Sequence, residues 1–424
     1  MTVALLFAAL GVLLLLNVPI AVALGLSTAL ALLHSGLPLT LVVQRMIASN
    51  DSFSLMAIPF FILAGAAMTH GGVSRRLVAF ADSLFGWMIG GLGIVAQITG
   101  VFFSAISGSS AATTAAVGGI IFPEMEKRGY DRSFSAAIVA ASGETGIVIP
   151  PSVPLVVYGV VAGVSIGDLF LGGVGPGLLM GVALCLLIYG VSRRRGYGGG
   201  EFKGFAAVWT SFREAIWGLL MPVIILGGIY GGVFTATEAA VVAVFYGFFV
   251  GFAVYRDLKI SHLPKIFETT VTGTAVVMFI MNAAGLFSWV ITREQFPSQL
   301  AAYFISLTSD PIVFLMLINV LLFAVGCILN ASAAITILAP ILVPIVTRLG
   351  IDPVFFGVIM TANLAIGCLT PPVGVDLFIA SGIAKVPITR LSRAILPFLA
   401  VLIAVQLTIT YFPAITMALP HAMK

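Results

Sequence analysis

Residues 143–152 read GETGIVIPPS, and they interrupt a long apolar run. The two successive prolines remove two backbone N–H donors, and each disfavours helical geometry in the residue before it. A helix that reaches this point must break, and carbonyl groups upstream of the break lose their partners. A second stretch with the same proline pair, GCLTPPVG, lies at residues 367–374. The sequence thus predicts two structural breaks, at the pairs Pro150-Pro151 and Pro371-Pro372.

The two breaks belong to an internal repeat, in which one half of the chain matches the other at a constant offset of 221 residues. Nine residues are identical, without a gap, over the 29 positions from Pro123 to Pro151. Matching prolines and glycines in apolar segments are not expected by chance, because both residues destabilise a helix. We predict two repeated halves, residues 1–192 and 217–424, joined by a basic, Gly-rich linker and amphipathic segment at residues 193–216.

The composition places the chain in a lipid bilayer. Of its 424 residues, 60% are hydrophobic and only 8% are charged, and the mean hydropathy is +1.17. A soluble protein carries about 25% charged residues, so a cytosolic enzyme or a nucleic-acid-binding protein is excluded. At roughly 20 residues per crossing, the length allows on the order of a dozen membrane elements. The apolar runs are continuous rather than alternating, which predicts helices instead of a β-barrel.

The positions of lysine and arginine predict opposite orientations for the two halves. Five loops hold 16 of the 20 Lys and Arg residues, and the positive-inside rule places such loops in the cytoplasm. The loop after Pro123 is then inside and its counterpart after Pro344 is outside, so the repeats are inverted, as in many secondary transporters. This topology splits residues 1–34 at Asn17–Pro19 into two short helices; a single span there would reverse only the N-terminus.

Each half also contains a polar tip between two short apolar runs. The first tip is SGSSAATT, residues 107–114, and the second is LNASA, residues 329–333. Apolar arms of about 15 residues are too short to cross a bilayer, so each tip predicts a re-entrant hairpin. Non-helical backbone at membrane depth persists only where protein or a water-filled cavity covers it.

The tips and breaks together offer oxygen atoms suited to a hard monovalent cation. Freed carbonyls and hydroxyl groups supply the ligands, and the N-termini of the half-helices supply positive dipole ends for a carboxylate. Small residues at a tip are also typical of helix packing, and a proline pair is also typical of a structural kink. Because both features occur twice in the same order, we predict sodium at each tip-and-break pair and an anionic substrate between them.

Glu144 and Asp376 are ionisable residues within apolar runs, where a charge is costly and normally faces a cavity. Glu144 is either a functional group or a hydrogen-bond partner for the opened backbone. Asp376 either contacts the substrate or caps the following half-helix. The sequence shows no ATP-binding motif, no metal-ligand spacing and no nucleophile–base set. We expect no enzyme activity and no cofactor, and transport driven by an ion gradient or by the gradient of the substrate.

The chain resembles, essentially end to end, the large membrane subunit of tripartite ATP-independent periplasmic (TRAP) transporters of the type that carries C4-dicarboxylates or sialic acid. The residues that carry the resemblance are Ala57–Phe61, Ser107–Ala111, Gly146–Ser152 and Leu369–Gly374. The resemblance implies an elevator-type sodium symporter in the bacterial inner membrane, with separate scaffold and transport domains. It also implies two protein partners, a small four-helix membrane subunit and a periplasmic substrate-binding protein.

The resemblance further implies particular site residues. The predicted sodium ligands of the first half are Ser107, Ser109, Ser110, Gly143, Thr145 and Gly146. Those of the second half are Gly326, Asn330, Ala331, Gly367, Thr370 and Val373. Ser152, Ser332 and Asp376 are predicted to contact the substrate, although Asp376 departs from the uncharged polar residue expected in relatives.

The predicted function is sodium-coupled import of a small organic anion by a permease surrounded by membrane lipid. The alternative is a stand-alone ion-coupled carrier or antiporter, which would work without either partner. A channel is a third hypothesis, and the paired broken helices argue against it because a channel needs a continuous pore.

Overall fold

The computed structural model describes residues 2–307, 310–371 and 374–423, and every regular element in these ranges is helical. The predicted all-α class is confirmed. The first half contains α1 (Thr2–Leu15), α2 (Ile20–His34), α3 (Thr40–Ala48), α4 (Ala57–His70), α5 (Val73–Phe85), α6 (Gly91–Ser107), α7 (Ser110–Lys127), α8 (Arg132–Val148), α9 (Val153–Ala162) and α10 (Ile166–Arg195).

The second half contains a similar series. Its helices are α11 (Phe205–Tyr230), α12 (Ala236–Phe249), α13 (Leu263–Arg293), α14 (Phe296–Leu307), α15 (Pro311–Gly326), α16 (Ala331–Arg348), α17 (Pro353–Cys368), α18 (Val375–Ala384), α19 (Ile388–Ala394), α20 (Leu396–Tyr411) and α21 (Ala414–Ala422).

The helices are long and apolar enough for a multi-pass membrane protein. In the described residues seven helical segments meet the length and hydropathy of a span, and an eighth is the pair α19–α20, bent by 48°. The predicted split near Asn17 is confirmed, since α1 and α2 are separate helices and Asn17 has a positive φ of 61° between them.

The offset of 221 residues found in the sequence also relates the helix boundaries. Adding it to the bounds of α7 gives those of α16, and α6 and α9 match α15 and α18 to within two residues. Asp131 and Asp352, which are equivalent, cap α8 and α17 by accepting hydrogen bonds from the first-turn backbone. Equivalent segments of the two halves therefore adopt the same local structure.

The two proline-broken helices form the centre of the molecule. Every residue of α8 from Phe134 to Val148 is buried, and so is every residue of α17 from Phe355 to Cys368. A helix that is apolar on all sides belongs in the interior. The half-helices after the breaks pack across the two halves, because α9 contacts α16 and α17 while α18 contacts α7 and α8.

The structure shortens the predicted non-helical segments. Only residues 108–109 separate α6 from α7, and residues 327–330 separate α15 from α16, so the tips are narrower than residues 107–114 and shifted from residues 329–333. The first break is residues 149–152 rather than 143–152. The physical reason is that Pro150 removes only its own N–H; the N–H of Ile149 still donates to Thr145 O at 3.0 Å and completes α8.

The predicted linker is helical at both ends. α10 continues to Arg195 and α11 begins at Phe205, so only residues 196–204 lie between helices. Tyr197 fixes this segment to the first half, because its ring stacks on Tyr130 with 4.3 Å between centroids and its hydroxyl accepts from the backbone N–H of Asp131 at 3.0 Å. The amphipathic segment predicted after the linker is the first part of α11.

Candidate functional site

The first tip is a tight turn between two helices. Gly108 ends α6 with a positive φ of 61°, and Ser109 begins α7 as an N-cap residue that accepts from the N–H of Ala112 at 3.4 Å. The Ser107 and Thr113 hydroxyls lie 3.0 Å apart, and Thr113 donates to the carbonyl of Ser109 at 2.9 Å. The tip therefore concentrates hydroxyl and carbonyl oxygens in one turn.

This tip is seated directly on the first break. The N–H of Val153, at the start of α9, donates to Gly108 O at 3.4 Å. A side-chain Cβ at Gly108 would lie 2.7 Å from the carbonyl oxygen of Pro151, so only glycine fits both the turn and this contact. The predicted meeting of tip and break in the first half is observed.

Ser152 has a structural role in this break. Its hydroxyl donates to the carbonyl of Ile147, whose helical partner would have been the missing N–H of Pro151, and it also caps α9. The side chain is fully buried and does not line the cavity described below. The Ser152 hydroxyl thus satisfies the opened backbone, and its predicted contact with the substrate stays a prediction.

Gly143, Thr145 and Gly146 lie inside α8, facing the hairpin rather than the break. A Cβ at Gly143 would meet the hydroxyl of Thr114, and one at Gly146 would lie 2.9 Å from Ser104 Cβ. The Thr145 hydroxyl donates to Ser142 O at 2.8 Å. The predicted ligands of the first half are thus close to hydroxyl groups, although these α8 residues are helical.

In the second half the tip and the broken helix touch through their backbones. A Cβ at Gly367 would lie 2.5 Å from Gly326 Cα, and one at Gly326 would lie 3.0 Å from Gly367 Cα. The Cys368 thiol contacts Leu329 O at 3.8 Å. Asn330 begins α16 and its side-chain oxygen accepts from the N–H of Ala333 at 2.9 Å. The structure brings the predicted residues Gly326, Asn330, Ala331 and Gly367 to one junction.

The second break begins at Leu369, after α17, and α18 begins at Val375. Thr370 continues the last turn, with its N–H donating to Gly367 O at 2.8 Å and its hydroxyl to Ile366 O at 2.9 Å. Two residues predicted here, Pro372 and Val373, lie outside the described residues.

Both tips and residues that flank both breaks line a cavity of about 660 Å³. Several lining residues of the first half have their equivalents in the second half among the lining residues, so the two halves surround the same cavity. The equivalent pairs are Ser109 and Asn330, Ser110 and Ala331, Ala111 and Ser332, Ile147 and Cys368, and Pro154 and Val375. Ser107 also lines the cavity, whereas the predicted residues inside α8 and α17 form the layer behind it.

The other wall of the cavity was not predicted. It consists of α4, from Ile62 to His70, and α13, from Thr269 to Ile280. Apart from His70, these residues are small, apolar or weakly polar, and they carry no local motif that could have identified them. Ile147 and Cys368, which are equivalent in the repeat, also line the cavity and were not predicted.

The cavity suits an anion although no lysine or arginine is among its described lining residues. The first turns of α7, α9, α16 and α18 all contribute to the wall. First-turn N–H groups have no partner within their helix, and each helix N-terminus carries about half a positive charge. At α9 the Val153 N–H already donates to Gly108 O, the Leu155 N–H donates to Ser152 and Pro154 has none, so this end contributes only its dipole. The N–H groups of the other three ends, with the four dipoles, can hold a carboxylate or sulfonate without a basic side chain.

Glu144 and Asp376 lie together behind this wall. Both are fully buried, and each carboxyl group faces the other across the contact between α8 and α18. Asp376 sits in the first turn of α18 but leaves the cap position to Gly374. Asp376 is not among the described residues that line the cavity, and its predicted contact with the substrate stays a prediction.

An all-helical membrane protein whose broken helices meet at a central cavity has the architecture of a secondary transporter. The model of the family described as tripartite ATP-independent periplasmic transporter, DctM component, matches residues 7–415. The chain belongs to this family and is a multi-pass protein of the bacterial inner membrane.

Curated relatives support the same family. The isethionate TRAP transporter permease protein DctMQ of Oleidesulfovibrio alaskensis is 48% identical over 97% of this chain, which spans only 65% of that protein. The C4-dicarboxylate large permease DctM of Pseudomonas aeruginosa is 44% identical over 94% of this chain and 93% of its own length. The sialic acid large permease SiaM of Vibrio cholerae is 40% identical over 93% and 92%.

A solved structure shares the fold. The YdaH transporter of Alcanivorax borkumensis superposes with a TM-score of 0.63 over 87% of this chain and 86% of that one, at 18% sequence identity. At this identity the likeness concerns the arrangement of helices alone.

Proposed function

We propose that this permease imports a small organic anion by sodium symport. The observation that carries the proposal is the cavity lined by both tips and by the first turns of four helices. An anion is held there by backbone N–H groups and hydroxyls, with Ser332 and the Ser109–Ala111 turn as the nearest contacts. The relatives' named substrates are a sulfonate, C4-dicarboxylates and a sialic acid, so we propose a carboxylate or sulfonate of that size.

Sodium would bind where each tip meets its broken helix. In the first half the ligands are the hydroxyls and carbonyls of Ser107, Ser109 and Ser110 together with the α8 segment at residues 143–146. In the second half they are Asn330, Ala331, Thr370 and the backbone at Gly326 and Gly367. Oxygen ligands without a fixed counter-charge fit a hard monovalent cation, and binding would fix each tip on its helix.

Transport would follow an elevator motion. The helices around the two breaks, α6–α9 and α15–α18, would move as one body against α4 and α13, carrying the cavity across the membrane. A periplasmic binding protein would deliver the anion, and a small membrane subunit would extend the scaffold, as the family name implies.

Uptake of radiolabelled isethionate, succinate and sialic acid into proteoliposomes tests this function. The vesicles contain the full chain with its small membrane subunit, and the binding protein is added outside. We expect uptake of one anion class only with an inward sodium gradient and with both partners. Uptake by the chain alone would instead support the stand-alone carrier, and uptake that ignores sodium would contradict symport.

A further inference from the structure

The carboxyl groups of Glu144 and Asp376 require an explanation beyond the two sodium sites. Each is fully buried, and they come from different halves of the chain. None of their four oxygens has a well-formed hydrogen bond to a described residue. An isolated ionised carboxylate in a low-dielectric interior is costly, and two that face each other are more so.

The surroundings of the pair contain no compensating positive side chain. Among the described residues, the titratable group that faces both carboxyls is the Cys368 thiol, and no lysine, arginine or histidine acts on either one. The pair is therefore neutralised either by a shared proton or by a bound cation.

The repeat shows that the fold does not need carboxylates at these positions. The offset of 221 residues makes Ala365 the equivalent of Glu144 and Leu155 the equivalent of Asp376. Both are fully buried, so the same two places in the other half are filled by apolar side chains. If Glu144 and Asp376 only filled space, apolar side chains would do so at a lower cost in free energy, so a structural role does not explain the carboxyl pair.

Neutral oxygen atoms accompany the pair. The Ser110 hydroxyl lies beside Asp376. One turn further along α7, the fully buried hydroxyl of Thr114 has no hydrogen-bond partner among the described residues and lies against the backbone at Gly143. Asp376 lies in the first turn of α18, where the positive helix end stabilises its ionised form. Ionised carboxylates with hydroxyl oxygens are the ligands of a hard cation.

We propose that Glu144 and Asp376 bind a further sodium ion between the two halves, in addition to the ions at the tips. Ser110 and Cys368 line the substrate cavity and lie beside the pair, so the ion enters from the cavity past these residues. The inference rests on the proposed sodium symport and extends it. The bound cation holds α8 against α18 and removes the repulsion that two negative charges would exert on the anion, so substrate and ion bind cooperatively.

Equilibrium binding of ²²Na⁺ to the full chain in lipid nanodiscs tests the site. The variants are Glu144→Gln and Asp376→Asn, which keep the side-chain shape and remove the charge. Glu238→Gln is the matched control, because Glu238 is exposed and only completes the capping box of α12. We expect each buried variant to bind one sodium ion fewer than the wild type and to bind the transported anion at least tenfold more weakly, while the control binds both normally.

A double variant separates binding from folding. Glu144→Ala with Asp376→Leu installs the residues that the other half carries at the equivalent positions. It should fold, as size-exclusion profiles and melting will show, and should also lose one sodium ion. If a folded variant binds as many sodium ions as the wild type, the proposal is overturned and symport stands. If, in addition, proton uptake changes, the two carboxyls share a proton instead of binding sodium. A wild type that binds no sodium overturns symport itself.

Discussion

The two regions in which a tip meets a broken helix have the same arrangement of helices, but different atoms are in contact there. In the first region, Gly143 and Gly146 of α8 are covered by hydroxyl side chains of the facing hairpin. In the second region, Gly326 and Gly367 bring two backbones into direct contact. The helix boundaries and the capping positions are alike in the two halves, but the atoms in contact where each tip meets its broken helix differ. We infer that side-chain hydroxyls dominate the first sodium site and that backbone carbonyls with Thr370 dominate the second.

The largest difference between the regions should come from adding a methyl group. Gly367→Ala places a Cβ 2.5 Å from Gly326 Cα, and a backbone cannot move aside as a side chain can. We expect loss of transport and destabilisation by about 1–3 kcal/mol, measured by uptake and by thermal melting. Gly146→Ala should be milder, because the Ser104 hydroxyl can change rotamer and only the contact of 2.9 Å with Ser104 Cβ requires a small backbone shift.

Gly382→Ala is the control for this pair, since nothing lies within 4 Å of the added Cβ and the position is helical. It should melt at or above the wild-type temperature. If Gly367→Ala behaves like Gly382→Ala, the two backbones are not in contact and the comparison between the regions fails.

Removing the hydroxyl of Thr370 should be the next largest effect. Thr370→Ala deletes an oxygen ligand in the region that has few hydroxyls. If the loss of this ligand costs as much as the loss of a hydrogen bond to a charged group, about 1.5–3 kcal/mol, the sodium concentration for half-maximal uptake should rise about tenfold or more. Thr347→Ala is matched, because both hydroxyls donate to the carbonyl four residues earlier at 2.9 Å, and it should leave sodium activation unchanged.

Ser109→Ala should weaken sodium dependence less, by about threefold to fivefold, because Ser107 and Ser110 remain in the same turn. Part of the effect is the loss of an N-cap, worth about 1 kcal/mol. Ser165→Ala removes a comparable cap, that of α10, away from the central cavity. Sodium titration of uptake should be shifted in the first variant only; equal shifts would assign the effect to capping.

The smallest effect concerns access. Ile147 and Cys368 are equivalent and both line the cavity. In a background without Cys185 and Cys327, Cys368 should react with a water-soluble thiol reagent, and Ile147→Cys in a chain without Cys368 should do the same. Sodium with substrate should slow both reactions by a few-fold. Protection of one position but not the other would mean that the two regions do not share one space.

Much of this architecture follows from local chemistry. The missing N–H groups of two proline pairs predicted the breaks, and the matching glycines and prolines predicted the repeat. The exact ends of the helices could not be predicted from the motifs. The helix α8 extends to Val148 because the N–H groups before the prolines still donate to carbonyls, and a motif does not show these hydrogen bonds. The hydrogen bond from the Ser152 hydroxyl to Ile147 O is likewise one that a motif does not show.

Hydropathy and proline act within a few residues, so the sequence predicts a helical membrane protein of two repeated halves, each with a tip and a break. Packing between helices, not local hydrogen bonding, brings α4 and α13 to the cavity and Glu144 to Asp376. Glu144 and Asp376 are 232 positions apart, and Ile62 of α4 lies near Gly273 of α13, 211 positions further along the chain. The inverted orientation of the halves remains a prediction from the charges of the loops.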